Sequence, residues 1–301
     1  METIASGLLI PEGPVVLSDG SALVVEVGAG RLSRVWPDGR MALVAELGGG
    51  PNGAAIGPDG AVYVCNNGGG FACSLDDGHL HIAFAPERYV GGSIQRVDLD
   101  SGLFTSLYTH CDGRSLLAPN DIVFDAHGGF WFTDHGASAA DAKTYGALYY
   151  ATPDGASIRR VRAGLLSPNG IGLSPDGRWL YWADTLSARL WRAEIVAQGC
   201  LADYPGASGE VVATAPGHVM LDSLAVEAGG RICIGSIIRG GITIVDPATD
   251  ACDHVPVNDA MITNIAFGGA DGRDVWITAA STGRLLRGRW PRPGLPLAFT
   301  I

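Results

Sequence analysis

A polar residue that opens a short apolar run recurs six times along this chain of 301 residues, and each time a glycine follows eight positions later. The six polar residues, here called the openers, are Glu12, Asn52, Asn120, Asn169, Asp222 and Asn264, and the matching glycines are Gly20, Gly60, Gly128, Gly177, Gly230 and Gly272. Successive openers are 40 residues apart at the closest (Glu12 to Asn52) and 68 at the widest (Asn52 to Asn120). An internal repeat at this spacing is typical of propellers and solenoids.

Each repeat has the pattern of a β-hairpin followed by further strands. In the second repeat, residues 52–57 form an apolar run, residues 58–60 (PDG) supply a turn, and residues 61–65 form a second β-rich run. Later runs such as residues 93–102 complete the unit. Four strands at this spacing predict an all-β fold, a six-bladed β-propeller with four-stranded antiparallel blades around a central channel. A β-sandwich or two small barrels is the alternative.

The ends of the chain and its insertions also carry predictions. A ring of blades must be joined, and residues 291–301 are predicted to supply an outer strand to the blade begun by the N-terminus. The longest insertions lie at residues 66–92 and 135–146, and long loops on a rigid scaffold often carry function. Because no linker or low-complexity segment interrupts the pattern, we predict one domain over residues 1–301.

Composition narrows the class of partner. The net charge of −11 argues against nucleic acid, because phosphate binding needs clustered Lys and Arg. No apolar run approaches the ~20 residues of a membrane span, and the first ten residues lack the basic and small-residue features of a signal peptide. Six cysteines without C-x-x-C spacing indicate reduced, buried thiols. We therefore expect a cytoplasmic protein, monomeric or weakly homo-oligomeric, that acts on a small molecule.

The symmetry of a propeller brings the openers together. The first strand of each blade lines the channel, so the six openers should meet at one mouth. The second strand runs back antiparallel and returns to the same mouth. This adds a second set of polar residues to the neighbourhood, namely Glu26, either Asn66 or Asn67, Asp134, His135, Asp184 and Ser236.

Carboxylates gathered in a channel need an opposite charge as a partner, since an unpaired buried charge costs roughly several kcal/mol. Glu12 and Asp222 supply charge, while Asn120 and Asn169 supply neutral oxygens. Such oxygens are the ligands that Ca²⁺ takes, and no His or Cys occupies an opener position, which argues against a classical zinc site. The remaining openers are interpreted as residues that satisfy turn amides.

Six segments, taken together, resemble the gluconolactonase/regucalcin (senescence marker protein) family of six-bladed propellers. They are residues 11–15 (PEGPV), 118–122 (APNDI), 132–136 (FTDHG), 167–173 (SPNGIGL), 221–226 (LDSLAV) and 263–269 (TNIAFGG). The resemblance implies a lactonase that acts on sugar lactones with one divalent metal ion. Ca²⁺ is the first choice, with Zn²⁺, Mn²⁺ and Fe²⁺ as alternatives. It implies Glu12, Asn169 and Asp222 as metal ligands, and Asn120 as a residue that contacts the substrate and, in some members, also the metal.

Two positions depart from the family pattern. Leu221 and Ser223 flank Asp222 where the family usually has Pro-Asp-Gly, and Ala118 stands where an arginine is common. Arg114 lies nearby in the sequence and is the candidate replacement for substrate binding.

The roles of the candidate residues are hypotheses at this point. Asp222 is assigned as the base that activates water, with His135 or the metal itself as alternatives. His135 and Asn67 are further candidates for substrate binding. Asp134 and Asp184 are candidates for holding the metal ligands in position without contacting the metal.

Two other classes of function remain open. One is a hydrolase or lyase acting at the same site on a non-sugar lactone or ester, and the other is a calcium-binding propeller without catalysis.

Overall fold

In the computed structural model, residues 1–139 and 141–301 are described and form strands that are numbered here in chain order. Strand β1 covers Glu2–Ser6, and blade one comprises β2 (Pro11–Val16), β3 (Ala22–Glu26), β4 (Arg31–Val35) and β5 (Met41–Glu46). The next segments are β6 (Pro51–Ile56), β7 (Val62–Asn66), β8 (Phe71–Asp76), β9 (His79–Phe84), a 3₁₀ helix at Pro86–Arg88, β10 (Ser93–Val97) and β11 (Phe104–Tyr108). Blade two comprises β6, β7, β10 and β11, and β8 pairs with β9 in a separate hairpin.

Blades three and four follow the same plan. A small hairpin of β12 (His110–Cys111) and β13 (Arg114–Ser115) precedes β14 (Pro119–Phe124), β15 (Phe130–Asp134), β16 (Ala137–Ala139), β17 (Ala142–Thr144), β18 (Gly146–Ala151) and β19 (Ile158–Leu165). Blade three comprises β14, β15, β18 and β19, with β16 and β17 as an inserted hairpin. Blade four comprises β20 (Pro168–Leu173), β21 (Trp179–Asp184), β22 (Arg189–Ala197) and β24 (Glu210–Thr214), and β23 (Cys200–Leu201) adds to β22.

The last two blades bring the chain back to its beginning. Blade five comprises β25 (Met220–Val226), β26 (Ile232–Ile237), β27 (Ile242–Asp246) and β28 (Ala251–Val255). Blade six contains β29 (Ile262–Gly268), β30 (Asp274–Ala279), a 3₁₀ helix at Ala280–Thr282, and β31 (Arg284–Arg289). The inner strands β2, β6, β14, β20, β25 and β29 contact one another in sequence, and β29 contacts β2. The predicted six-bladed β-propeller is therefore confirmed.

The second strand of each blade is apolar because it is buried on both faces. Every residue of β7 is buried, and so is every residue of β3 and β15. Neighbouring blades pack face to face, so that Tyr63 of blade two lies 5.1 Å, ring centre to ring centre, from Phe124 of blade three. This arrangement explains why those sequence runs lack polar alternation. In the described part of the chain, no helix is long and apolar enough to cross a membrane.

The ring closes at the N-terminus, and this corrects the predicted closure. Strand β1 pairs antiparallel with β31 as the outer strand of blade six. The segment after β31 adds no strand to blade one. It crosses the channel end opposite the openers instead, where Leu295 N donates to Val226 O and Ser18 N donates to Ile301 O, at 2.8 and 2.7 Å. The join is therefore made at the outer edge of blade six, and the first strand of the chain makes it.

The two predicted insertions both form hairpins at the end of the channel where the openers lie, here called the opener mouth. The hairpin of β8 and β9 extends from blade two towards blades one and six. A Cβ on Gly28 would lie 2.9 Å from Cys73, and one on Gly283 would lie 3.1 Å from Leu75. The six cysteines are free thiols, of which Cys65, Cys111 and Cys233 are buried and the other three half-buried.

Candidate active site

Each opener lies at or beside a β-bulge in the first strand of its blade. The register between first and second strand shifts from Glu12 to Val15, from Pro119 to Ile122 and from Pro168 to Ile171. The other three blades shift in the same place, at Pro51/Ala54, Leu221/Leu224 and Ile262/Asn264. A bulge re-aims a side chain and leaves backbone groups out of the ladder. The openers are therefore brought together by a repeated bulge as well as by the blade symmetry.

Glu12 and Asn264 form a hydrogen-bonded pair where blades one and six meet. The Glu12 Oε2 atom accepts from Gly13 N at 2.7 Å and from Asn264 Nδ2 at 2.9 Å. Asn264 Oδ1 in turn accepts from Ile265 N at 2.8 Å. Burial, and next the negative charge of Asp222, raise the pKa of Glu12 well above its usual range. Asn264 has both ends of its amide bound, which agrees with a structural role.

Asp222 and Asn169 are neighbours on blades five and four. Burial raises the pKa of Asp222 to about 7, the charge of Asp121 adds to this, and a hydrogen bond from the Asn169 side chain opposes it. Asn169 Nδ2 also donates to Thr185 Oγ1 at 3.1 Å, which orients its amide. Its Oδ1 atom accepts only a long bond of 3.4 Å from Ser223 Oγ.

Asn120 carries a buried carboxamide oxygen without a hydrogen-bond partner among the described residues, and Asn52 does too. Leaving such a group unsatisfied costs about 1–3 kcal/mol, so the atom points to a ligand. The substrate or metal contact assigned to Asn120 stays a prediction. The unpaired oxygen of Asn52 was not expected, because that residue was interpreted as one that satisfies a turn.

These residues fit a hard divalent cation. Glu12 and Asp222 are buried carboxylates, and burial together with the charge of Asp222 raises the pKa of Glu12, a cost that a bound cation would relieve. Among the described residues no group of three His, Cys, Asp or Glu side chains is arranged to hold a metal ion. The donor set mixes two carboxylates with the amide oxygens of Asn120 and Asn169. An oxygen-only set of this kind suits Ca²⁺ better than zinc.

Asp121 is a buried carboxylate that the sequence reasoning missed. Its Oδ1 accepts from Ile122 N at 2.9 Å and its Oδ2 from Ile171 N at 3.2 Å, and a hydrogen bond from the Leu224 backbone also stabilises its charge. These three N–H groups each come two residues after an opener, on blades three, four and five. Asp121 therefore joins the three bulges that carry Asn120, Asn169 and Asp222. Burial nevertheless raises its pKa to about 7.

A signal for Asp121 was present in the alignment of the repeats. It follows its opener at the position where three other repeats have a glycine, namely Gly13, Gly53 and Gly170. A charged residue in place of a recurring glycine is the same kind of asymmetry that drew attention to Glu12 and Asp222. The sequence could not show that the carboxylate oxygens of Asp121 accept hydrogen bonds from the backbones of three different blades.

Asp134 and Asp184 bind the loops that lead into the candidate site. Asp134 accepts from Leu117 N at 2.7 Å and from Ala118 N at 2.9 Å. Asp184 accepts from Ser167 N at 2.9 Å and from the Ser187 hydroxyl at 2.8 Å. Their contacts are thus with the backbone just ahead of Asn120 and Asn169, and not with those side chains. A role in positioning the two openers through the chain remains a prediction.

His135 lies half-buried at the opener mouth and is neutral at neutral pH. Burial, and next the positive charge of Lys143, lower its pKa to about 4, against the opposing charge of Asp184. Lys143 Nζ donates to His135 O at 2.9 Å. Lys143 is the only lysine in the chain, and its place in the inserted hairpin of blade three was a further signal that the sequence reasoning missed.

The other two predicted substrate residues lie further out. Asn67 Oδ1 accepts from Gly69 N at 2.9 Å, and its own N–H donates to Gly50 O at 2.8 Å, so it forms a turn at the mouth. Arg114 is exposed in strand β13. The hairpin that contains it packs through Cys111 against Ile158 of an outer strand. This position does not support substrate binding by Arg114, and the assignment stays a prediction for both residues.

Comparison with known proteins identifies the family. The family model described as SMP-30/Gluconolactonase/LRE-like region matches residues 10–281. A gluconolactonase of Zymomonas mobilis is 27% identical over 214 residues, which cover 64% of this chain and 54% of that protein. The lactonase drp35 of Staphylococcus saprophyticus is 29% identical over 168 residues, which cover 56% and 50%. The chain thus spans about half the length of the curated relatives it matches.

Solved structures show the same fold at low sequence identity. A gluconolactonase from Xanthomonas campestris superimposes with a TM-score of 0.74 at 22% identity, covering 95% of this chain and 88% of that one. A calcium-binding protein, regucalcin, from Agrobacterium tumefaciens superimposes with a TM-score of 0.71 at 19% identity, covering 99% and 100%. With its family motifs spread over nearly the whole ring, the chain belongs to the SMP-30/gluconolactonase/LRE-like family.

Proposed function

We propose that the protein is a divalent-metal-dependent lactonase that opens a lactone ring by hydrolysis. The observation that carries the proposal is the pair of buried carboxylates, Glu12 and Asp222, together with the unpaired amide oxygen of Asn120 at the same bulge position of blade three. The family relationship and the lactonase relatives support the reaction class. Glu12, Asn169, Asp222 and Asn120 would hold the cation, and the all-oxygen donor set favours Ca²⁺.

Different residues of the chain have different roles in the hydrolysis. The bound cation would supply Lewis-acid polarisation of the lactone carbonyl. Asp222 takes a proton from the water whose oxygen attacks the carbonyl carbon. The ring C–O bond then breaks, and the leaving alkoxide takes back the proton held by Asp222, which gives the hydroxy acid and restores the carboxylate. Asn120 binds the substrate at the opener mouth. His135 is neutral, and it therefore acts as a hydrogen-bond partner of the substrate and not as a charged group.

The proposal is tested with Asp222→Ala, using Asp154→Ala as the matched control in an exposed turn. We expect Asp222→Ala to lower kcat/KM for lactones by about 100-fold or more, since it removes both a base and a ligand. Calcium titration calorimetry should show weaker binding in the same variant. The control should keep both properties. Lactone turnover that is unchanged in Asp222→Ala at saturating Ca²⁺ would refute the proposed role of this site.

Chelation separates the enzyme from a calcium-binding protein without catalysis. We expect removal of the metal to abolish lactone turnover and re-addition of Ca²⁺, Mn²⁺ or Zn²⁺ to restore it to different degrees. A protein that binds Ca²⁺ tightly at the openers but hydrolyses no lactone in any metal form would belong to the second class.

A further inference from the structure

Several of the large apolar side chains that are exposed to solvent lie in connecting segments at the opener mouth. They are Phe84, Tyr89, Val90, Tyr145, Leu166, Leu186 and Ile238. Each lies in a segment that leads into a first strand or connects a second strand to a third, and both kinds of segment end at this mouth. Exposed apolar groups gathered at one site mark a binding surface more often than single scattered ones do.

Three of these residues lie in chain segments next to the opener Asn169. Leu166 precedes it by three residues and is 37% exposed. Leu186 is 51% exposed, and its N–H donates to Ser167 Oγ at 2.8 Å. Tyr145 directly precedes Gly146, where an added Cβ would lie 2.7 Å from the ring of Pro168. Together Tyr145, Leu166 and Leu186 are here called the apolar rim.

The two carboxylates near the apolar rim are occupied by the protein itself. The Asp184 carboxylate already accepts from Ser167 N and from Ser187, and Asp134 accepts from Leu117 N, Ala118 N and Gly136 N. A polyhydroxylated sugar lactone would need several free hydrogen-bond partners on this side, because each buried hydroxyl without one costs about 1–3 kcal/mol. A substrate with an apolar substituent leaves no hydrogen bond unmade there, and the burial of the substituent favours binding.

Resting on the proposed function, we propose that the substrate is a lactone that carries an alkyl or aryl substituent, and that this substituent packs on the apolar rim. The lactone carbonyl then lies at the openers, and the substituent points outward over Asn169 between blades three and four. Lys143 Nζ, held at 2.9 Å from His135 O, is the one basic group of the inserted hairpin, and it fits a carbonyl or ring oxygen at the inner end of the substrate.

A homologous series of substrates tests the inference. We measure kcat/KM at saturating Ca²⁺ for unsubstituted δ-valerolactone, for δ-lactones with alkyl chains of increasing length, and for glucono-δ-lactone. We expect kcat/KM to rise about threefold per added methylene over the first few carbons, as expected for partial burial. A preference for glucono-δ-lactone with no rise along the alkyl series would overturn the inference while leaving the lactonase proposal intact. Hydrolysis of no lactone at all would instead overturn the proposed function.

A matched pair of variants tests where on the protein the substituent of the lactone binds. Leu186→Ser changes the apolar rim, and Leu43→Ser makes the same change at a side chain of similar exposure, 55% against 51%, on the outer strand of blade one. We expect Leu186→Ser to raise KM for the longest alkyl lactone about fivefold or more and to leave δ-valerolactone unchanged. Leu43→Ser should change neither. Equal effects of the two variants, or an equal effect of Leu186→Ser on both substrates, would contradict the assignment to the rim.

Discussion

At the scale of single residues, the charge of Asp121 is stabilised by backbone N–H groups and not by a basic side chain. Its carboxylate accepts from Ile122 N and Ile171 N, and the Leu224 backbone adds a third bond. These N–H groups belong to first strands, which are the inner edges of their sheets, and a buried N–H group needs an acceptor. A single carboxylate therefore holds together the three strands that present Asn120, Asn169 and Asp222.

The role of Asp121 predicts a graded loss of stability. Asp121→Ala should lower the free energy of unfolding by about 3 kcal/mol, because it leaves buried N–H groups unpaired. Asp121→Asn keeps one acceptor oxygen and should cost about 1 kcal/mol. Urea unfolding of the metal-free protein measures both, with Asp98→Ala on the surface as the control. Equal stability of the Ala and Asn variants would contradict the role.

A second prediction at this scale concerns His135 and pH. Its pKa is lowered to about 4 in the folded protein by burial and by Lys143, against the attraction of Asp184. Between pH 4 and about 6.5 the unfolded chain therefore binds more protons at this position, so the free energy of unfolding should rise with pH in that range. Replacing His135 by Gln should flatten this slope. Unfolding curves at several pH values, compared with His79→Gln on the exposed hairpin, measure the effect.

At the scale of elements, the β-bulge is the feature that the six first strands share. In blade one it brings the backbone at Gly13 against that of blade two. Gly13 has φ of +49°, and a Cβ there would lie 2.9 Å from Ala54 N and closer still to the carbonyl oxygen of Asn52. Glycine is therefore required at this position for two reasons, the left-handed backbone and the approach of the next blade.

These two reasons can be separated by a pair of variants. Gly7 also has positive φ, +83°, but a Cβ there would meet nothing within 4 Å. We expect Gly7→Ala to cost about 1 kcal/mol of unfolding free energy from backbone strain alone. Gly13→Ala should cost at least about 3 kcal/mol, since overpacking adds to the strain. Chemical denaturation of both variants provides the test. Equal losses would show that the approach of blade two is unimportant.

At the scale of the whole molecule, the ring is held by its two chain ends in different ways. Strand β1 completes blade six. The C-terminal segment closes the channel end opposite the openers, where Phe299 packs edge-on against Phe124 at 5.7 Å between ring centres. Arg292 and Trp290 fix the start of that segment through the buried carboxylate of Glu227. Both ends thus join blades that are far apart in the sequence.

This arrangement predicts that the last residues contribute to the stability of the ring. Phe299→Ala should lower the free energy of unfolding by about 2 kcal/mol, less than a fully buried Phe because the ring is half-buried. Leu297→Ala, at a side chain that is 51% exposed, should cost about 0.5 kcal/mol or less. Thermal unfolding of the two variants measures the difference. Lactonase activity at 25 °C should be unchanged in both, because the segment lies at the other end of the channel.

The sequence by itself determined the six blades and the meeting of the openers. Strand and turn chemistry is local, and a repeated local pattern places equivalent residues at equivalent positions. Only the tertiary structure decided how those residues are held. The bulges at the openers, the acceptance of N–H groups from three blades by Asp121 and the closure by β1 all depend on register and on contacts between distant segments, which periodicity does not encode. The same is true of the apolar rim, because its residues come from separate segments that come near Asn169 only in the folded ring.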